Sequence, residues 1–262
     1  MGVAEAMRTE WDARAGKNAF YYIASWQKDW NISDFLKSGE EDYARLVMPV
    51  LNQFGFSPEG KTILELGCGA GRMARCFAKH FGRVLAFDVS HQMLSRAQEL
   101  LPEIKNVSFF LCNGLDLLPT PDESVDFVFT YLVLQHLPTE KLVLSYVREM
   151  LRVLRPGGLC LFQFNSMKRP TMNWKGHLAW GAIDALWDLR LRSLSRVIAK
   201  RLRLDAEMAG KTWHGVAVPS FRVVETIRAS GGAMLEVRGD DSPMAWCCAQ
   251  KTNSLPAVIR SL

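Results

Sequence analysis

The stretch that most constrains this chain is Thr62-Ile63-Leu64-Glu65-Leu66-Gly67-Cys68-Gly69-Ala70-Gly71-Arg72. A short apolar run ends in alternating glycines, and an amphipathic segment begins at Met73. A strand–loop–helix of this kind leaves backbone N–H groups at a helix N-terminus, where they favour negative charge. Glycine suits the loop because no side chain holds a ligand away from the backbone. Alone, the cluster is equally compatible with a tight βα turn in an unrelated α/β protein.

The flanking pattern selects the fold. After the glycine loop a helix runs to about Phe81, and Arg83-Val84-Leu85-Ala86-Phe87 reads as a strand ending at Asp88. Ser90 reads as the N-cap of a helix through Leu101. Val107 to Cys112 and Val125 to Thr130 are further strands, a helix spans about Thr139 to Leu154, and Leu159 to Phe164 is the fifth strand after Pro156-Gly157-Gly158. Strands alternating with helices at this spacing imply parallel βαβ units and an open α/β sheet covered on both faces. Pro219 to Ser230 is helical, and Met234 to Val237 and Ala245 to Ala249 are strands. The Gly239–Pro243 link between them is too short for a crossover, so they pair antiparallel at one edge.

Two segments lie outside that core. Residues 1–60 read as a helical cap segment rich in aromatics (Tyr21, Tyr22, Trp26, Trp30), with a break at Ser38-Gly39 and a helix from about Glu40 to Phe54. Residues 166–218 have no strand character, so the core comprises 61–165 and 219–262. The insertion's centre reads as one helix, with Ile183, Leu186, Trp187, Leu191, Leu194, Val197, Ile198 and Leu202 at helical spacing. Arg190, Arg192, Arg196, Lys200 and Arg203 form its basic face. Lys168 to Arg203 carries nine Lys/Arg against Asp184 and Asp188, so the net charge of +5 on the 262 residues belongs to this segment.

Six cysteines without a C-x-x-C pair, and no Cys/His cluster with ligand spacing, read as buried reduced thiols, with no metal expected. An acidic N-terminus without a signal-like apolar core and the absence of a membrane-length run imply a soluble, cytoplasmic protein.

In a doubly wound sheet, ligands sit at the carboxyl ends of the strands. Asp88 ends the second strand about 20 residues after the first glycine, where a carboxylate accepts hydrogen bonds from a ribose. The dinucleotide fingerprint would place glycine at position 72, where Arg72 stands, and the loop lacks the Walker G-K-[ST]. A nucleoside without pyrophosphate fits better.

Four landmarks then occur in order: Leu64-Glu65-Leu66-Gly67-Cys68-Gly69-Ala70-Gly71; Phe87-Asp88-Val89-Ser90 with Met93-Leu94; Val133-Leu134-Gln135-His136-Leu137-Pro138; and Glu149 with Arg152-Val153-Leu154-Arg155-Pro156-Gly157-Gly158. Over about residues 60–165 the chain thereby resembles the class I S-adenosylmethionine-dependent methyltransferases, particularly the small-molecule branch. Trp11-Asp12-Ala13-Arg14 and Tyr21-Tyr22-Ile23-Ala24 add a weaker match, whereas the insertion matches nothing assignable. The resemblance implies a seven-stranded doubly wound, Rossmann-like sheet with the last strand antiparallel, helices on both faces and a helical lid. It implies that Gly67, Cys68, Gly69 and Gly71 approach the methionine part of S-adenosylmethionine, with Glu65 holding the loop or its waters. Asp88 would bind the ribose, and Val89, Met93, Gly114 and Leu115 would contact adenine. Asn113 stands where many members carry an acid. Thr130, Tyr131 and Gln135 would face the reaction centre.

Methyl transfer is an in-line displacement whose reactivity the cofactor brings. The candidates for a general base are His136 and His214; each also reads as a capping or packing histidine. Trp174, Trp180, Trp187 and Trp213 give the insertion apolar surface for a hydrophobic or aromatic small molecule. The basic helix over 183–203 could contact an anionic, lipid-bearing membrane, or form a solvated outer face. Nucleic acid is not expected, since the aromatics fall on the apolar stripe. The rival readings are a non-catalytic cofactor-binding subunit, a nicotinamide oxidoreductase and a membrane-associated interaction protein.

Overall fold

The computed structural model describes residues 2–167, 174–202, 204 and 208–252. The apolar runs become β1 (Thr62–Leu66), β2 (Arg83–Asp88), β3 (Val107–Leu111), β4 (Val125–Thr130), β5 (Leu154–Phe164), β6 (Gly232–Arg238) and β7 (Ala245–Lys251). They form a single sheet in the order β3-β2-β1-β4-β5-β7-β6. Strands β1 to β5 are parallel, and β7 runs antiparallel to both β5 and β6. The chain leaves β1 toward β3 on one side and returns to place β4 on the other. That reversal between β1 and β4 opens a crevice at the strands' carboxyl ends.

The helices are α1 (Val3–Ile23), α2 (Ile32–Asp42), α3 (Met48–Gln53), α4 (Arg72–His80), α5 (His91–Leu100), α6 (Glu140–Val153), α7 (Trp174–Asp188), α8 (Arg192–Arg201), α9 (Lys211–His214) and α10 (Ser220–Ala229). Side chains alternate across the strands, which sorts the core into two layers. Leu64, Leu66, Leu85, Phe87, Val128 and Phe162 pack beneath α6 and α10. Ile63, Val84, Ala86, Phe127, Phe129 and Leu161 pack against α3, α4 and α5. Both faces are covered, as expected of near-continuous apolar strands.

Three local expectations are corrected. Ser38-Gly39 does not break a helix: α2 passes through it and continues by a π-helical turn, Tyr43–Val47, into α3. Gly39 is there for contact, since a Cβ would lie 2.2 Å from the Arg72 carbonyl oxygen of α4. The insertion is not one helix but a hairpin. Arg190 adopts φ 63°, and Leu191 N–H donates to the Leu186 carbonyl at 2.8 Å, a left-handed cap that closes α7. Ile183 and Trp187 of α7 then pack on Ala199, with Ser195 Oγ donating to the Ile183 carbonyl. Finally, β5 begins at Leu154, because Leu154 already pairs with Val125; Pro156-Gly157-Gly158 falls in the bulge before Leu159 meets Phe127. Lys168, Arg169 and Arg203 of the basic segment lie outside the described residues, as do the side chains of Trp174, Lys175 and Asp188.

Candidate functional site

The glycine loop closes over the end of β2. Gly67 and Cys68 N–H both donate to the Phe87 carbonyl, at 2.7 and 2.9 Å. Gly69 N–H donates to Asp88 Oδ2 and Ser90 N–H to Asp88 Oδ1, each at 2.8 Å. Asp88 thus clips the loop to the N-terminus of α5. Ser90 caps α5 by accepting from Met93 N–H and donates to Asp12 Oδ1 on α1. Gly71 is the left-handed N-cap of α4 at φ 83°, and a Cβ there would meet Leu101 and Ala97. Its absent side chain lets α4 start against α5 and does not open the crevice.

The crevice encloses a cavity of about 100 Å³ lined by Glu65, Gly67, Cys68, Gly69, Asp88, Val89, Met93, Gly114 and Tyr131 among the expected residues. Asn113, Leu115, Thr130, Gln135 and His214 are not part of its lining. Asn113 instead caps its own turn, accepting from Leu115 and Asp116 N–H. Thr130 is fully buried, and its hydroxyl has no hydrogen-bond partner. Gln135 accepts from Gln163 Nε2 at 3.0 Å. His214 lies 3.4 Å from Asp184 Oδ1 and edge-on to Trp180.

His136 does line the cavity, but both ring nitrogens are engaged. Its Nδ1 donates a hydrogen bond to the Trp213 carbonyl, which fixes the tautomer. Its Nε2 accepts from Gln135 Nε2 at 3.1 Å. Desolvation pushes its pKa down to about 4, opposed by the Trp213 contact.

Two carboxyls sit at the floor. Burial pushes Glu65 up to about 8, against the attraction of Arg72 and with the repulsion of Asp88. Glu65 Oε2 has no hydrogen-bond partner. Burial likewise raises Asp88 to about 6, against the backbone donors Ser90 and Gly69. A buried, unpartnered carboxyl oxygen is costly, and it suits a cationic ligand group.

Sequence reasoning missed the roof. Met7, Trp11, Tyr22 and Ile23 of α1 lie over the glycine loop. Leu132, Val133, Leu137 and Tyr146 complete the apolar wall. The Trp11–Arg14 resemblance was the available signal: Trp11 lines the cavity and Asp12 accepts from Ser90. Arg14 is fully buried with its guanidinium over the Trp11 and Trp213 rings, donating to Thr212 Oγ1. Arg72, read only as a departure from a dinucleotide loop, lines the cavity and pairs with Asp42 at 2.6 Å.

Residues 64–162 match the family model described as "Methyltransferase domain". Over this stretch, under half of its length, the chain is similar to the class I S-adenosylmethionine-dependent methyltransferases. It is 35% identical over 103 residues to the 2-methyl-6-phytyl-1,4-hydroquinone methyltransferase of Synechocystis sp., a match covering 39% of this chain and 31% of that protein. It is 32% identical over 108 residues to the malonyl-[acyl-carrier protein] O-methyltransferase of Serratia marcescens, covering 41% and 40%. The chain therefore spans less than half the length of these relatives. The magnesium protoporphyrin IX methyltransferase of Synechocystis PCC 6803, solved with bound S-adenosylmethionine, shares the fold with a TM-score of 0.60 at 14% identity, over 96% of this chain and 98% of that one.

Proposed function

We propose that the protein transfers a methyl group from S-adenosylmethionine to a small hydrophobic or aromatic acceptor. The observation that carries this reading is the unpartnered Glu65 Oε2, buried at the floor of a glycine-loop cavity beside Asp88. It suits the ammonium of an amino-acid tail, while Asp88 suits the ribose hydroxyls of a nucleoside. Val89, Met93 and Gly114 would flank the base, and Tyr131, Leu132 and Val133 would line the donor end. When bound, the cofactor supplies an electrophilic methyl on a sulfonium.

The chain's own share is alignment and exclusion of water. Trp11, Tyr22, Leu137 and Tyr146 make the remaining wall apolar, which favours a hydrophobic acceptor. Neither expected histidine is poised as a base. His136 has both nitrogens committed, and His214 lies outside the cavity. This arrangement favours an acceptor already nucleophilic near neutral pH, such as a thiolate, a carboxylate or an unprotonated amine.

Thermal-shift and calorimetric titrations with S-adenosylmethionine, S-adenosylhomocysteine and NAD test the cofactor assignment. Stabilisation by the first two supports it, and stabilisation by NAD alone overturns it. An acceptor screen following S-adenosylhomocysteine release then tests the acceptor class.

A further inference from the structure

The α7–α8 hairpin presents an outer face that is uncovered among the described residues. Ser195 and Ala199 are the buried positions of α8, and they seat the helix on Ile183 and Trp187. Leu194, Val197 and Arg201, at i, i+3 and i+7, share the opposite face. Leu189, Leu191, Leu194, Val197 and Leu202 are 47–69% exposed. With Leu178, six of the fifteen exposed large apolar side chains among the described residues fall on this hairpin. Such clustering differs from the scattered exposure that ordinary surfaces show.

Cations border the same face. Arg190 lies in the turn, and Lys200 and Arg201 lie at the end of α8; all three are exposed. Acids are scarce here: of the hairpin's two, Asp184 is turned inward, accepting from Gly210 N–H, and the side chain of Asp188 lies outside the described residues. Arg192 and Arg196 point differently, with their guanidinium groups over the Trp187 ring, and Arg192 also donates to Glu10 of α1. The inner cations thus fasten the hairpin to the protein, while the outer ones surround exposed leucine and valine. Leucine and valine flanked by lysine and arginine suit the boundary between anionic headgroups and acyl chains.

We infer that α8, with the α7–α8 turn, docks the protein on an anionic membrane surface. No helix among the described residues is long and apolar enough to cross a membrane, so the contact is peripheral. The docked face is tied to the candidate site: Arg192 holds Glu10, Glu10 accepts from Thr212 of α9, and the neighbouring Trp213 carbonyl holds His136 at the cavity wall. A lipid-resident acceptor would be presented beside the cavity. This last step rests on the methyltransferase reading; the docking does not.

The test is co-sedimentation of the full chain with vesicles of phosphatidylcholine alone and of phosphatidylcholine with phosphatidylglycerol in equal parts. Binding to the anionic vesicles only, weakened by salt, is expected. Leu194→Glu/Val197→Glu should abolish it, and Lys200→Gln/Arg201→Gln should weaken it by about tenfold or more. These positions are exposed, so the fold should persist, and S-adenosylhomocysteine titration of each variant checks the cofactor site separately. Equal sedimentation with both vesicle types, or wild-type binding by both double variants, overturns the proposal. So does a wild-type dimer that Leu194→Glu/Val197→Glu dissociates without any vesicle binding, because the face would then be an interface between copies.

Discussion

Glu65 and Asp88 are both acids held above their ordinary range by burial, and their protons report on the site. Folded Glu65 keeps its proton up to about pH 8, whereas an unfolded glutamate releases it near 4.5. Between those values the folded state binds the extra proton, so stability falls as pH rises through the window. Glu65→Gln should remove that fall, leaving the ligand-free protein more stable above pH 8 by on the order of a few kcal/mol. Melting temperature against pH checks this. The same variant should bind S-adenosylhomocysteine at least about tenfold more weakly, because a charge-assisted contact to the ammonium is lost. Asp88→Ala removes the acceptor of the Gly69 and Ser90 N–H groups as well as a ribose contact. At about 1.5–3 kcal/mol for each hydrogen bond to a charged group, calorimetry should show affinity reduced about a hundredfold or more.

At the scale of elements, two packing joints hold the cap on the sheet. Helix α2 crosses α4 at Gly39, which meets the Arg72 carbonyl, while the Arg72 side chain pairs with Asp42. Gly39→Ala forces these helices apart and should cost about 1–3 kcal/mol, read from denaturant unfolding. The second joint is the buried cluster of Glu10, Arg14 and Thr212 between α1 and α9. Arg14→Met strips Glu10 of a buried partner, although Arg192 still reaches its other oxygen. A loss of about 3 kcal/mol, concentrated in faster amide exchange across α1 and α9, is the expected outcome.

For the whole molecule, the cavity volume sets a requirement. Small-molecule sites commonly enclose about 300 Å³ or more, and the space beneath α1 is about 100 Å³. Met7, Trp11, Tyr22 and Ile23 roof this space, so cofactor binding is expected to shift these side chains, or α1 as a unit. Asn18 already interrupts that helix, with φ −167° and ψ 87°, and its Oδ1 accepts from Tyr21 N–H to restart it. S-adenosylhomocysteine should change amide-exchange protection in α1 and α9 together, because Arg14 and Thr212 link them. A change confined to the glycine loop would show that the roof does not move.

The sheet was legible in the chain because its determinants are local. Alternating apolar residues, glycine turns and the Ser90 cap fix each βαβ unit, and a crossover's handedness leaves little topological choice. Asp88 at the end of β2 was legible for the same reason. The roof was not, since nothing within α1 says that Trp11 meets His136 or that Arg14 meets Thr212; those contacts join residues more than a hundred positions apart. The same holds for Gly39, whose local signal is a break and whose tertiary partner is a carbonyl on α4. The insertion shows the division most clearly. Helical spacing located its apolar residues, but the Arg190 turn decided which of them, with Ile198, pack on Trp187 and which (Leu191, Leu194, Val197 and Leu202) face outward. Local propensity sets the elements and the glycine loop; long-range packing sets the roof above it and the surface beside it.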